Sequence, residues 1–140
     1  FDAIETASFG SFSTVLIEYG IPGRAYELSY ASAAIAREVA NDYETDGRTR
    51  YVAGSIGPGT KLPSLGHIKF DDLRDSYEEQ ARGLIEGGAD LLLIETSMDL
   101  LQVKAAMIAT ALNSMAPGVD RDSGYGITMA LQAVQYALTH

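Results

Sequence analysis

Apolar positions along this chain come in two patterns that take turns: short continuous runs and stripes at helical spacing. The clearest run is Ala89-Asp-Leu-Leu-Leu-Ile94, with Glu95 at its carboxyl tip and Asp99 placed to cap a following helix. Runs of this kind are buried on both faces and belong to parallel sheets. Tyr51-Val-Ala-Gly-Ser-Ile56 is a second run, and Phe1-Asp-Ala-Ile-Glu5 reads as the end of another strand. Between them lie the stripes. A short helix is predicted from about Ser11 to Tyr19, with Phe12, Val15, Leu16 and Tyr19 on one face, stopped by Gly20 and Pro22. A longer one runs from Arg24 to about Tyr43 on the stripe Leu28, Ser32, Ile35, Val39 and Tyr43, and its many alanines let it lie close to a sheet. Asp71 is placed to cap a third helix to about Glu86, with Phe70, Leu73, Tyr77, Ala81 and Leu84 inward and Gly87-Gly88 at its end. A fourth spans Asp99 to Asn113 on Leu101, Ala105, Ile108 and Leu112.

Strand and helix therefore alternate, which predicts an α/β fold with a parallel sheet of about three βα units. The rhythm breaks near Asn113. Met115 to Gly126 is polar and glycine-rich, and Ile127 to Leu138 reads as one more helix with no strand before it. The division expected is 1–113 for the α/β segment and 114–140 for a divergent tail. Three units are too few for a closed (β/α)8 barrel, which takes roughly 250 residues. The segment is either a small open sheet or part of something larger, and a chain opening inside a strand favours the second.

Composition narrows the chemistry. There is no cysteine, so disulfides and thiolate metal sites are excluded within these residues. Two histidines, His67 and His140, fall short of a typical zinc site, which takes three or four ligands. A formal net charge of −9 opposes nucleic acid and anionic membranes, leaving a small-molecule or protein partner. No apolar run is long enough for a transmembrane helix and no targeting segment opens the chain, so cytoplasm is the default compartment.

In parallel α/β folds, chemistry sits where strands end. Three loops leave those ends: Thr6-Ala-Ser-Phe-Gly10, Ser55-Ile-Gly-Pro-Gly59 and Glu95-Thr-Ser97. They offer hydroxyls (Thr6, Ser8, Ser55, Thr96, Ser97), backbone N–H groups near Gly57 and Gly59, and the Glu95 carboxylate. That set suits a zwitterionic small molecule: Glu95 for an ammonium, hydroxyls and N–H groups for a carboxylate. A strand-end glutamate also serves as an ion-pair or helix-dipole partner, and Glu5 stands at the equivalent end of the first strand. Neither a P-loop nor a GxGxxG motif occurs, and no spacing supports a Ser-His-Asp triad. Lys61 and His67 read as solvated loop residues.

Longer phrases carry more. Asp2-Ala-Ile-Glu-Thr6, Leu16-Ile-Glu-Tyr-Gly20, Tyr51 through Gly66 and Tyr77 through Thr96 resemble the homocysteine S-methyltransferase domain of bacterial cobalamin-dependent methionine synthases, over about Phe1 to Asn113. The resemblance implies part of a (β/α)8 TIM barrel, its second to fourth units. It implies homocysteine as substrate, with zinc holding the substrate thiol and cobalamin carrying the methyl group. The implied partners are the remainder of the barrel and the cobalamin-binding and folate-binding domains. The implied substrate-binding residues are Glu95, on the amino group, with Thr6, Ser8, Ser55 and Gly57 lining the pocket. Two departures stand out. The family reads Glu-Thr-Asn-Thr-Phe where this chain has Glu5-Thr-Ala-Ser-Phe9, and its three zinc cysteines have no counterpart. The expectation is a chain that does not methylate homocysteine alone. A non-catalytic open α/β binding or interaction module is the alternative.

Overall fold

A computed structural model describes residues 1–112 and the two-residue strand at 127–128. Its sheet contains β1 (Ala3–Glu5), β2 (Tyr51–Ile56) and β3 (Leu91–Ile94), in that spatial order. Both pairings are parallel, with Glu5 beside Ala53, Ala53 beside Leu91 and Ile56 beside Ile94. Parallel neighbours need long crossovers, and helices supply them. These are α1 (Ser13–Leu16) and α2 (Ala25–Asp42) between β1 and β2, then α3 (Phe70–Glu86) between β2 and β3. A fourth helix, α4 (Leu100–Ala109), follows β3.

Strand alternation sorts side chains between two faces. Val52, Ile56, Leu92 and Ile94 point to the helices, where Ile56 joins Phe12, Leu73, Tyr77, Leu84, Ala105 and Ala106 in the core. Phe12 and Tyr77 meet with ring centroids 4.9 Å apart. Ala3, Glu5, Tyr51, Ala53, Ser55, Leu91 and Leu93 occupy the other face. β2 is buried almost throughout, as its central place requires. β3 is not buried on both faces as its sequence implied: Leu93 is 39% exposed and its neighbours half-buried, because no described element covers that side.

Helix α2 departs further from expectation. Its buried stripe is Ala25, Ser29, Ala33, Ala36 and Ala40, while Ile35 and Tyr43 are exposed and Leu28, Ser32 and Val39 are half-buried. The small residues win because α3 approaches too closely for large ones. A Cβ on Gly83 would lie 2.6 Å from the Tyr26 carbonyl oxygen, and one on Gly87 2.5 Å from that of Tyr30. Arg37 then ties α2 to the turn before β3, bonding to the Gly88 carbonyl at 3.1 Å and pairing with Asp90. Asp90 in turn accepts from the Val52 N–H at 2.7 Å.

The third helix begins one residue before the expected cap. Lys69 is its N-cap, and Asp71 lies in the first turn, where its charge still favours the helix dipole. The α1 segment tightens to a 3-10 turn at Ile17–Tyr19, ends at left-handed Gly20 and leaves Tyr19 exposed. Asp99 does cap α4, accepting from the Leu101 N–H at 2.8 Å. That helix stops at Ala109 rather than Asn113. Its buried residues are Gln102, Ala105 and Ala106, with Leu101 exposed and Ile108 half-buried. β4 (Ala111–Leu112) pairs antiparallel with β5 (Ile127–Thr128), so the expected helix does not begin at Ile127. The rest of that expected helix, and the remainder of the 114–140 tail, lie outside the described residues.

Candidate functional site

The three strand ends converge as their parallel direction dictates. Glu95 donates its N–H to the Ile56 carbonyl at 3.1 Å, one step past β3, and Thr6 donates its own to the Ala53 carbonyl at 2.9 Å, one step past β1. Ser55 lies between them. Its hydroxyl donates to Glu95 Oε1, and its N–H donates to Thr6 Oγ1 at 3.0 Å. Thr6 Oγ1 and Ser8 Oγ are 2.6 Å apart, and Ser8 Oγ donates to the Ser55 carbonyl at 2.7 Å. Short hydroxyl side chains at the ends of neighbouring strands reach backbone before they reach solvent.

The structure thus brings Glu95, Thr6, Ser8, Ser55 and Gly57 together, with distinct surroundings. Thr6, Ser8 and Ser55 are buried and hydrogen-bonded to one another. The Gly57 N–H, read from sequence as open, donates to the Phe9 carbonyl at 3.0 Å. Glu95 is half-buried. Its carboxyl is held below the ordinary glutamate range, first by the Ser55 hydroxyl, then by a hydrogen bond with Glu5 and one from Thr96; partial burial opposes them. Glu5, on the same face at the end of β1, is therefore part of the arrangement. Lys61 and His67 stand apart from it. His67 is exposed, with its Nδ1 3.4 Å from the Leu62 N–H, and the Lys61 carbonyl accepts from Gln102 at 3.0 Å.

Residues that sequence reading passed over hold the loops in place. Gln80, wholly buried, donates from Nε2 to the Ser8 carbonyl at 2.7 Å and more weakly to the Ser55 carbonyl at 3.4 Å. Ser11 and Ser29 join the same network, hydroxyl to hydroxyl at 2.7 Å. Gln102 donates to the Pro58 carbonyl at 2.7 Å. Tyr77 bonds the Gly57 and Pro58 carbonyls at 3.2 and 3.1 Å, and burial raises its phenol pKa. The available signal was position: a glutamine on the buried stripe between Tyr77 and Leu84 needs polar partners inside the fold.

A sequence model described as Homocysteine S-methyltransferase matches residues 1–134. The chain belongs to the homocysteine S-methyltransferase family. Among curated proteins, methionine synthase of Mycobacterium tuberculosis is 50% identical over 109 residues, and that of Mycobacterium leprae is 47% identical over the same length. Those residues are 78% of this chain but only 9% of either relative, so the chain spans a small part of their length. Among solved structures, the homocysteine methyltransferase MmuM from Escherichia coli in its oxidized form superposes with TM-score 0.63 at 23% identity, over 74% of this chain and 39% of that one. Its metallated form gives TM-score 0.65 at 19% identity, over 99% and 54%. At such identities the likeness is one of fold, and it agrees with the parallel α/β sheet expected from the βα rhythm and the partial barrel that the resemblance implied.

A metal in this family has to find donors. None of the 140 residues is cysteine, and no group of three or more His, Cys, Asp or Glu side chains is gathered among the described residues. The donors present do not fit a thiolate zinc site. No helix among the described residues is long and apolar enough to cross a membrane.

Proposed function

We propose that this chain is the homocysteine-holding part of a methyltransferase barrel, with Glu95 as the group that takes the substrate's ammonium. The observation that carries this reading is the Ser55 hydroxyl on Glu95, which favours an ionised carboxylate at the carboxyl end of β3. An ammonium placed there gains a charge-assisted hydrogen bond. Thr6, Ser8 and Gly57 shape the floor beneath the ligand.

The methyl transfer itself would need more than these residues. Raising the nucleophilicity of the homocysteine sulfur calls for a thiolate, which zinc favours in the family. No step through a metal is assigned to this chain, because its donor set does not fit one. Methylcobalamin as donor, the remaining barrel strands, the cobalamin-binding and folate-binding domains as partners, and a cytoplasmic setting belong to the same proposal, supported by the similarity to methionine synthases. The missing thiolates favour a second reading, a binding segment without catalysis.

The test is calorimetric titration of the purified chain with L-homocysteine under reducing conditions, alongside Glu95→Gln. Binding that falls about tenfold or more in the variant supports the proposal, that being the loss expected when a charged hydrogen bond becomes a neutral one. Equal affinity in both proteins would sink it.

A further inference from the structure

Thr96 follows Glu95 directly, and it is the single non-glycine residue with positive φ among the described residues, at +55°. Asparagine and glycine visit this left-handed region readily, whereas a β-branched residue there is an outlier. Such strain persists only where the surroundings over-determine the backbone, and it gathers at functional sites. Here the surroundings are visible on both sides. Upstream, the Glu95 N–H is fixed to the Ile56 carbonyl. Downstream, the Asp99 carboxylate holds the Leu101 N–H at 2.8 Å and the Ser64 N–H at 2.9 Å, so the chain is caught again at the head of α4. Only Thr96, Ser97 and Met98 remain to turn the chain between these anchors.

We propose that Thr96 is a positioning residue whose left-handed turn fixes the direction in which Glu95 presents its carboxylate. A glycine would let the segment choose among several backbone basins. A branched side chain has one narrow left-handed well once the anchors exclude the extended one, so Glu95 keeps a single orientation. In that orientation Glu95 Oε1 meets the Ser55 hydroxyl, and Thr96 Oγ1 lies 3.4 Å from Oε2. Each carboxyl oxygen thus has its own hydroxyl partner, and the remaining lone pairs are aimed as a set. The consequence for ligand binding rests on the reading of Glu95 as the ammonium acceptor; the geometric claim stands apart from it.

The experiment uses the 140-residue chain carrying 13C at glutamate carboxyl carbons, with the Glu95 signal assigned from Glu95→Gln. Thr96→Gly is expected to raise Tm by ~3 °C as strain is relieved. In the same variant Glu95 titrates closer to the ordinary glutamate range, and the concentration of L-homocysteine that perturbs its signal rises about fivefold. Higher stability with a looser carboxylate is an outcome that a merely structural role does not give. Thr96→Asn, which tolerates the turn, keeps both the titration and the homocysteine response of the wild type. Should Thr96→Gly fail to fold, Thr96→Ala decides by the same titration, since it has neither the branch nor asparagine's preference for the left-handed turn. An unchanged Glu95 titration in the glycine variant, or an asparagine variant as altered as the glycine one, overturns the proposal. If L-homocysteine never perturbs the wild-type signal, the ligand reading falls, and the titration still judges the positioning claim.

Discussion

Glu95 owes its behaviour to one hydroxyl above all. Its carboxyl is held below the ordinary range, foremost by Ser55 and then by Glu5, against partial burial. A carboxyl lowered in the folded state contributes stability above its unfolded value, near 4.3, and loses that contribution as pH falls through the folded value. Ammonium binding depends on the folded-state value alone. Homocysteine affinity is expected to be level around neutral pH and to fall as acid protonates Glu95, below the ordinary glutamate range; in Glu95→Gln it is weak and flat over the same acid range. Ser55→Ala moves the wild-type fall to higher pH, which titration calorimetry at several pH values checks. Beneath Glu95, Gln80 is the donor for two buried carbonyls, while its own Oε1 lacks a partner. Gln80→Met removes one donor from each, leaving Ser11 on the Ser8 carbonyl and Ser8 on the Ser55 carbonyl, and also removes the orphaned acceptor, so the net loss of stability should be about 1 kcal/mol by urea denaturation. The place of Glu95 at a strand end was legible because a carboxylate ending an apolar run is conspicuous. Gln80, Ser11 and Ser29 were not, because Gln80 bonds a carbonyl 72 positions away and the two serine hydroxyls meet across 18 positions, which no local spacing records.

Among the elements, α2 shows how a stripe can mislead. Leu28, Ile35, Val39 and Tyr43 repeat at helical spacing and were the natural candidates for burial. The face that packs is Ala25, Ser29, Ala33, Ala36 and Ala40, because contact distance, not hydrophobicity, selects it. The larger residues Leu28, Ile35 and Val39 instead line an open groove of about 400 Å³ with Ile4, Glu5 and Ala7. The strands and the inward face of α3 were readable, since Leu73, Tyr77, Ala81 and Leu84 have both size and spacing. The close crossing of α2 and α3 makes a firm prediction. Gly83→Ala puts a methyl group against the Tyr26 carbonyl and the Ser29 side chain, both within 3 Å of it, and neither is a flexible tip. The variant should lose about 1–3 kcal/mol on urea denaturation, while Gly23→Ala, with nothing within 4 Å, should stay close to wild type.

For the molecule as a whole, what matters is which parts of a methyltransferase these residues supply. They give three parallel strands, helices over one face, and a carboxylate fixed at the rim. A closed barrel has eight strands, and its lumen face is covered by strands from the far side. Here Leu93 and Glu5 on that face are exposed. The chain also spans only 9% of the methionine synthases it resembles. Substrate recognition and sulfur activation are physically separable tasks. The first needs a placed carboxylate, and the second needs donors soft enough to hold zinc beside a thiolate. With no cysteine and two histidines in 140 residues, the second task has no residues to perform it. The chain by itself should therefore form no methionine from homocysteine and methylcobalamin, and equilibrium dialysis should find no stoichiometric zinc at micromolar metal. Homocysteine should still protect the chain against proteolysis in a manner that Glu95→Gln abolishes, because the proposed ammonium site at Glu95 needs no metal. Tight stoichiometric zinc, or turnover by the isolated chain, would mean that the oxygen and imidazole donors present here suffice.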